Sequence, residues 1–211
     1  MFVDRKDAGE KLSMVLERFK DENPIVLAIP RGGIVTAYET IKKFQLQWDL
    51  IITRKIGLPH NKEIAIGAIS LDGTYLLNEE YIDMLNISQE YIKKEIFDQT
   101  EEIKRRLNKY KRNENFPHVR DKTVILIDDG IATGFTIKVA IMSIKKHNAK
   151  KIILAVPVAP QETISLLEKI VDEVICLFIP DIFYAVGSYY KSFEQTMDEE
   201  VFNIVRELDN V

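Results

Sequence analysis

Cysteine is nearly absent from this sequence: Cys176 is the only one in 211 residues. A disulfide framework and a Cys-rich zinc site are thereby excluded. Histidine is almost as scarce, with 3 residues far apart, so a His-based metal centre is not expected. Long apolar runs are missing too, the longest falling well short of the ~20 residues that span a bilayer. Nor is positive charge in excess. Lys and Arg total 29 against 33 Asp and Glu, a net −4, which argues against broad nucleic-acid binding. The opening Met1-Phe2-Val3-Asp4-Arg5-Lys6-Asp7 is charged at once and lacks the apolar stretch of a signal peptide. A cytoplasmic protein with neither membrane nor nucleic-acid partner is the expectation.

What the chain does have is ordinary globular composition, 46% apolar and 29% charged residues, at a length that can bury a large core. Residues 1–211 are read as a single domain. Helical spacing runs over 6–19, and Asp21-Glu22-Asn23-Pro24 stops it. Continuous apolar runs of strand length follow at 25–29 and 123–127, with further strands at 48–53, 151–158 and 173–179. Helices are expected at 34–44, 136–146 and 165–171. This alternation predicts an α/β fold with an open, mostly parallel sheet and helices on both faces. Residues 88–112 break the rhythm with a long charged helix, capped by Ser88 and striped by Ile92, Ile96, Ile103, Leu107 and Tyr110. It is expected to be a packed surface helix.

Ligands of open α/β sheets bind at the carboxyl ends of the strands. The run Val124-Ile125-Leu126-Ile127-Asp128-Asp129-Gly130-Ile131-Ala132-Thr133-Gly134-Phe135-Thr136 puts two carboxylates at such an end, before a small hydroxyl-bearing loop that opens a helix. Helix-start N–H groups, the helix dipole and Thr hydroxyls suit a phosphate, and carboxylates suit vicinal hydroxyls. Phosphate and diol gripped together describe a ribose 5-phosphate.

This stretch resembles the ribose-phosphate motif of the type I phosphoribosyltransferases. The resemblance implies that Asp128 and Asp129 bind the ribose hydroxyls of phosphoribosyl pyrophosphate. Ala132, Thr133, Gly134, Phe135 and Thr136 would wrap the 5-phosphate. Hypoxanthine-type members carry an Asp at the position of Ala132, so their acid/base route is unavailable here. Pro30-Arg31-Gly32-Gly33 sits where the family has its pyrophosphate loop, implicating Arg31, Gly32 and Gly33, with Arg31-Gly32 as the candidate for a cis peptide. Arg54-Lys55-Ile56-Gly57-Leu58-Pro59 is similar to the start of the adenine-type catalytic loop. There Lys55 would contact pyrophosphate, Arg54 would assist, and Glu63 is the nearest carboxylate able to move a proton in a lid from Lys55 to about Ala65.

The whole chain resembles a group of phosphoribosyltransferases without an assigned acceptor, through Phe2-Val3-Asp4-Arg5-Lys6-Asp7-Ala8-Gly9, Ala65-Ile66-Gly67-Ala68-Ile69, Ala155 to Pro160, and the tail from Phe183. What this implies is a homodimer that uses Mg2+, bridging donor oxygens with no direct protein ligand, and a small-molecule acceptor. Residues 179–211 form the candidate hood, a small cap near the termini, in which Phe183, Tyr184, Tyr189 and Tyr190 could stack on a planar base. The expected reaction is transfer of ribose 5-phosphate to a nitrogenous, nucleobase-like heterocycle. The alternative is a regulator that binds the donor or a nucleotide without transfer.

Overall fold

A computed structural model describes residues 1–62, 64–110 and 115–210. In chain order the elements are α1 (Arg5–Leu16), a 3-10 segment (Glu17–Glu22), β1 (Ile25–Ala28), α2 (Gly32–Phe44), β2 (Gln47–Leu50), β3 (Thr53–Gly57), β4 (Ala65–Ser70) and β5 (Tyr75–Leu77). Then come α3 (Glu79–Met84), α4 (Gln89–Tyr110), β6 (Thr123–Ile127), α5 (Phe135–Lys146), β7 (Lys151–Val158), α6 (Gln161–Leu167) and β8 (Glu173–Phe178). A second 3-10 segment (Val186–Tyr189) and α7 (Asp198–Leu208) complete the order.

Five strands form a parallel sheet in the order β2-β1-β6-β7-β8. All residues of β1 and β6 are buried, as expected of strands covered on both faces. Successive side chains feed two cores. Val26, Ala28, Ile125 and Ile127 pack with α1, α2 and α7. Ile25, Leu27, Val124 and Leu126 pack with α5 and α6 on the other face. The chain leaves β1 outward to β2, then returns to β6 on the other side of β1. The carboxyl ends of β1 and β6 therefore flank the crevice where strand order reverses, the usual ligand position in such sheets.

Several boundaries differ from expectation. The expected strand at 48–53 ends at Leu50, and Thr53 opens β3. The expected helix at 165–171 lies at Gln161–Leu167, directly after Pro160, which sits at its N-cap in extended conformation. The larger correction concerns Arg54-Lys55-Ile56-Gly57, read as the start of a loop. These residues belong to β3, which pairs antiparallel with β4. Together with β5 they make a separate three-stranded sheet.

The long helix is as expected from its capping onward: Ser88 Oγ accepts from the Tyr91 N–H at 3.2 Å. Lys111 and Arg112, its expected end, lie outside the described residues. Its Ile92, Ile103, Leu107 and Tyr110 are buried in the same core that receives Ile56, Ile66 and Ile69 of the hairpin. Ile103 is fully buried, so α4 is the floor under β3 and β4. Ile103→Ala should cost about 2–5 kcal/mol, read as a lower urea midpoint at unchanged slope; a loss under about 0.5 kcal/mol would mean a solvated helix.

Candidate active site

The buried strand β6 delivers Asp128 and Asp129 to the crevice. The Asp129 N–H donates to Asp128 Oδ1 at 2.8 Å. Burial, and then the adjacent Asp129 charge, push the Asp128 carboxyl well above its ordinary 3.8. Asp129 is compensated differently. Its Oδ2 accepts from Arg5 Nε at 2.6 Å, and the two side chains are only 16% and 12% exposed. Arg5 Nη1 donates to the Glu194 carbonyl at 2.7 Å, and its guanidinium lies 3.8 Å from the centre of the Phe193 ring. The Tyr190 hydroxyl donates to the Asp129 carbonyl at 2.5 Å.

The loop after β1 packs onto this pair. Its cis peptide is Pro30–Arg31, one bond earlier than the Arg31–Gly32 bond expected. The sequence suggests that its glycines make room for an anion; they first make room for the acidic residues. A Cβ on Gly32 would stand 1.8 Å from Asp129 Oδ2 and 2.6 Å from Arg5 Nε. One on Gly33 would stand 2.9 Å from the Ile127 carbonyl oxygen. Arg31 Nη1 lies 3.7 Å from Asp198 Oδ1. Asp198 also accepts from Lys109 Nζ at 2.8 Å and from the Tyr110 hydroxyl. Those bonds hold its carboxyl at about 2.

On the other side of Asp129, the loop Ala132-Thr133-Gly134 leads into Phe135 and Thr136 at the start of α5. Gly134 sits at the N-cap with φ +76 and offers no side chain to cap the helix. The first-turn N–H groups are thus left for a ligand, where the helix dipole favours an anion. The loop itself is fixed: Thr163 Oγ1 donates to the Ala132 carbonyl at 2.8 Å, and the Ile131 N–H to the Val158 carbonyl at 2.9 Å. A cavity of about 300 Å3 joins these parts, with Arg5, Arg31, Gly32, Asp128, Asp129 and Thr136 in its wall.

Thr53 and Thr136 also border a second cavity of about 550 Å3 between the hairpin and α4. Arg54, Lys55, Lys62 and Arg106 bring positive charge to it, with Glu95 and Gln99 beside them. Arg54 Nε donates to Gln99 Oε1 at 2.8 Å, so its guanidinium is turned toward α4. Lys55 is exposed. Lys62 donates to the buried Glu95 and, at 2.7 Å, to the Tyr91 hydroxyl, which itself donates to the Gly57 carbonyl at 2.6 Å. Glu63 lies outside the described residues.

The aromatic tail is arranged otherwise than the stacking expectation has it. Tyr190 is buried, its ring against Phe2 and Phe193; it supports Asp129 from beneath and has no open face for an acceptor. Phe183 stacks on Tyr189 at 5.6 Å, and the Tyr189 hydroxyl donates to the Ile182 carbonyl at 2.7 Å. Neither lines the two cavities above. Tyr184 is exposed. Sequence reasoning missed Arg5 and Asp198 as parts of the site. Arg5 stood inside a run singled out only for its resemblance, and Asp198 stood in a tail read without regard to side-chain chemistry.

Residues 5–192 match the phosphoribosyl transferase domain, and the chain belongs to that family. Two proteins from strains of Mycobacterium tuberculosis, provisionally named phosphoribosyl transferases, are 36% identical over 201 residues. That match covers 95% of this chain and 45% of theirs, so the chain spans under half the length of these curated relatives. Among solved structures, TT1426 from Thermus thermophilus is 33% identical with a TM-score of 0.80, covering 98% of each chain. The AQ2163 protein of Aquifex aeolicus shares the fold at 15% identity and a TM-score of 0.53, over 87% of this chain and 78% of its own.

The raised pKa of Asp128 has a consequence for stability. From the ordinary 3.8 up to the raised value, the folded protein holds a proton that the unfolded chain has released. Stability therefore falls as pH rises through that window. Asp128→Asn removes the penalty. In thermal denaturation the variant should melt above the wild type at neutral pH and converge on it below about pH 4. A gap of equal size at both pH values would contradict the assignment.

Proposed function

We propose that this chain transfers ribose 5-phosphate from phosphoribosyl pyrophosphate to a nitrogenous acceptor and releases pyrophosphate. The observation that carries this reading is the meeting of three parts in one cavity at the strand-order reversal: the Asp128–Asp129 pair, the Arg31-Gly32 turn and the uncapped start of α5. Asp128 and Asp129 bind the ribose hydroxyls. Backbone N–H groups from Ala132 to Thr136 bind the 5-phosphate, and the Thr133 and Thr136 hydroxyls add donors. Arg31, the Gly32-Gly33 backbone and Lys55 neutralise the pyrophosphate.

The bond from the anomeric carbon to pyrophosphate breaks as the bond to the acceptor nitrogen forms, and that nitrogen gives up a proton. Positioning and charge stabilisation of the leaving group supply the rate. Ala132 has no proton to move, so the proton passes to Glu63, the first carboxylate after the Arg54-Lys55 run in the sequence, or to a water. Mg2+ suits this site, because the Asp128 and Asp129 oxygens are hard donors and the ion keeps several waters. When bound, it would neutralise charge on the pyrophosphate and ribose oxygens.

The acceptor is a planar nitrogen heterocycle other than adenine, admitted from the side of the hood formed by residues 179–211. Asp128→Asn combined with Asp129→Asn should weaken donor binding about 100-fold or more in calorimetry while leaving the protein folded, since each carboxylate loses charge-assisted bonds. Unchanged affinity would overturn the reading. A panel of heterocycles with phosphoribosyl pyrophosphate and Mg2+ should release pyrophosphate with at least one member. Tight donor binding without release across the panel would favour a regulator.

A further inference from the structure

Arg5 is fixed in place more tightly than a surface arginine has reason to be. It is the first residue of α1, where Asp4 caps the helix by accepting the Asp7 N–H at 2.8 Å. A cation in the first turn of a helix is disfavoured by the dipole, so its position there calls for a local reason. Three contacts supply one: Asp129 Oδ2 at 2.6 Å, the Glu194 carbonyl at 2.7 Å and the face of Phe193 at 3.8 Å. The backbone on either side is tied down as well. The Phe2 N–H donates to the Tyr189 carbonyl at 2.8 Å, and the Ser192 N–H to the Val3 carbonyl at 2.9 Å. Gly32 then closes the arrangement, since any Cβ there would collide with both members of the ion pair.

We propose that Arg5 is a positioning residue for the donor's ribose. It holds Asp129 by one oxygen, fixes the orientation of that carboxylate beside Asp128, and leaves the other oxygen for a sugar hydroxyl. This inference rests on the reading of Asp129 as a ribose ligand. It adds a residue from a helix start 124 positions away, and it makes the segment that threads the N-terminal residues to the tail part of the donor site. The guanidinium fork is what the role requires. A lysine is a point charge that cannot hold Asp129 and the Glu194 carbonyl in one plane while lying flat on Phe193.

The test is a set of donor titrations by calorimetry, with melting temperatures as a check on folding. Arg5→Met should weaken phosphoribosyl pyrophosphate roughly tenfold or more and leave the affinity for pyrophosphate alone unchanged. Arg5→Lys should fall in between; it carries the test if Arg5→Met does not fold. In an Asp129→Asn background, Arg5→Met should add less than about a twofold effect, because the two residues act as one unit. Donor affinity unchanged in both Arg5 variants, while Asp129→Asn alone loses the donor, would overturn the role of Arg5 and leave the ribose reading standing. Fully additive losses would also overturn it, by placing Arg5 in direct contact with the donor. If Asp129→Asn alone bound donor normally, the ribose reading would be the one to fail, and the role of Arg5 with it.

Discussion

Two adjacent carboxylates at the end of a fully buried strand repel each other and give up hydration, and much of the surrounding structure answers that cost. Asp128 meets it by holding a proton more tightly. Asp129 meets it with a nearly buried guanidinium. The pair is stacked against by Gly32 and Gly33, which have no side chains to intrude, and held from below by Tyr190. A buried ion pair of this kind is weak evidence for net stability, since desolvation can cancel the Coulomb gain. Its persistence is better explained by what the acidic pair is for than by what it adds to folding.

The frame of the site was legible in the sequence because it is written in local runs. Ile25 to Ala28 and Thr123 to Ile127 are continuous apolar stretches of strand length, and they are buried strands. The acidic pair, the Thr-Gly loop and the helix after it follow within nine residues of one another. The hairpin was harder. Thr53, Arg54, Lys55 and Ile56 carry two charges in the middle, which reads as loop until β4 is known to pair with them. In α7, Val201, Val205 and Leu208 recur at helical spacing behind three acidic residues, a signal that was present but unread. Arg5 and Asp129 had no such signal. Nothing local tells an arginine that its partner lies at the end of a strand on the far side of the sequence. Tyr190 failed for the opposite reason: an aromatic residue in a tail reads equally as lid or as core, and only its burial decides.

The long helix has a role that its composition conceals. Near its start Glu95 takes Lys62 from the hairpin loop. At its end Lys109 and Tyr110 take Asp198, the first residue of α7, which also faces Arg31 in the turn after β1. One rigid element thus meets the base of the hairpin loop at one end and the neighbourhood of the pyrophosphate turn at the other. Two of its charges, on Glu95 and Lys109, serve these junctions, while Glu101, Glu102, Lys104, Arg105 and Arg106 pair along the helix itself.

That arrangement restricts how the helix can change in evolution. Each added or removed residue turns everything beyond it by about 100° and shifts it by about 1.5 Å. A single insertion between Glu95 and Lys109 would leave one anchor in register and swing the other away from its partner. Substitutions on the outer face are cheap by comparison. Length between the anchors should therefore be held fixed, or altered only by near-integral numbers of turns with matching movement of α7, while the sequence between them is free to drift.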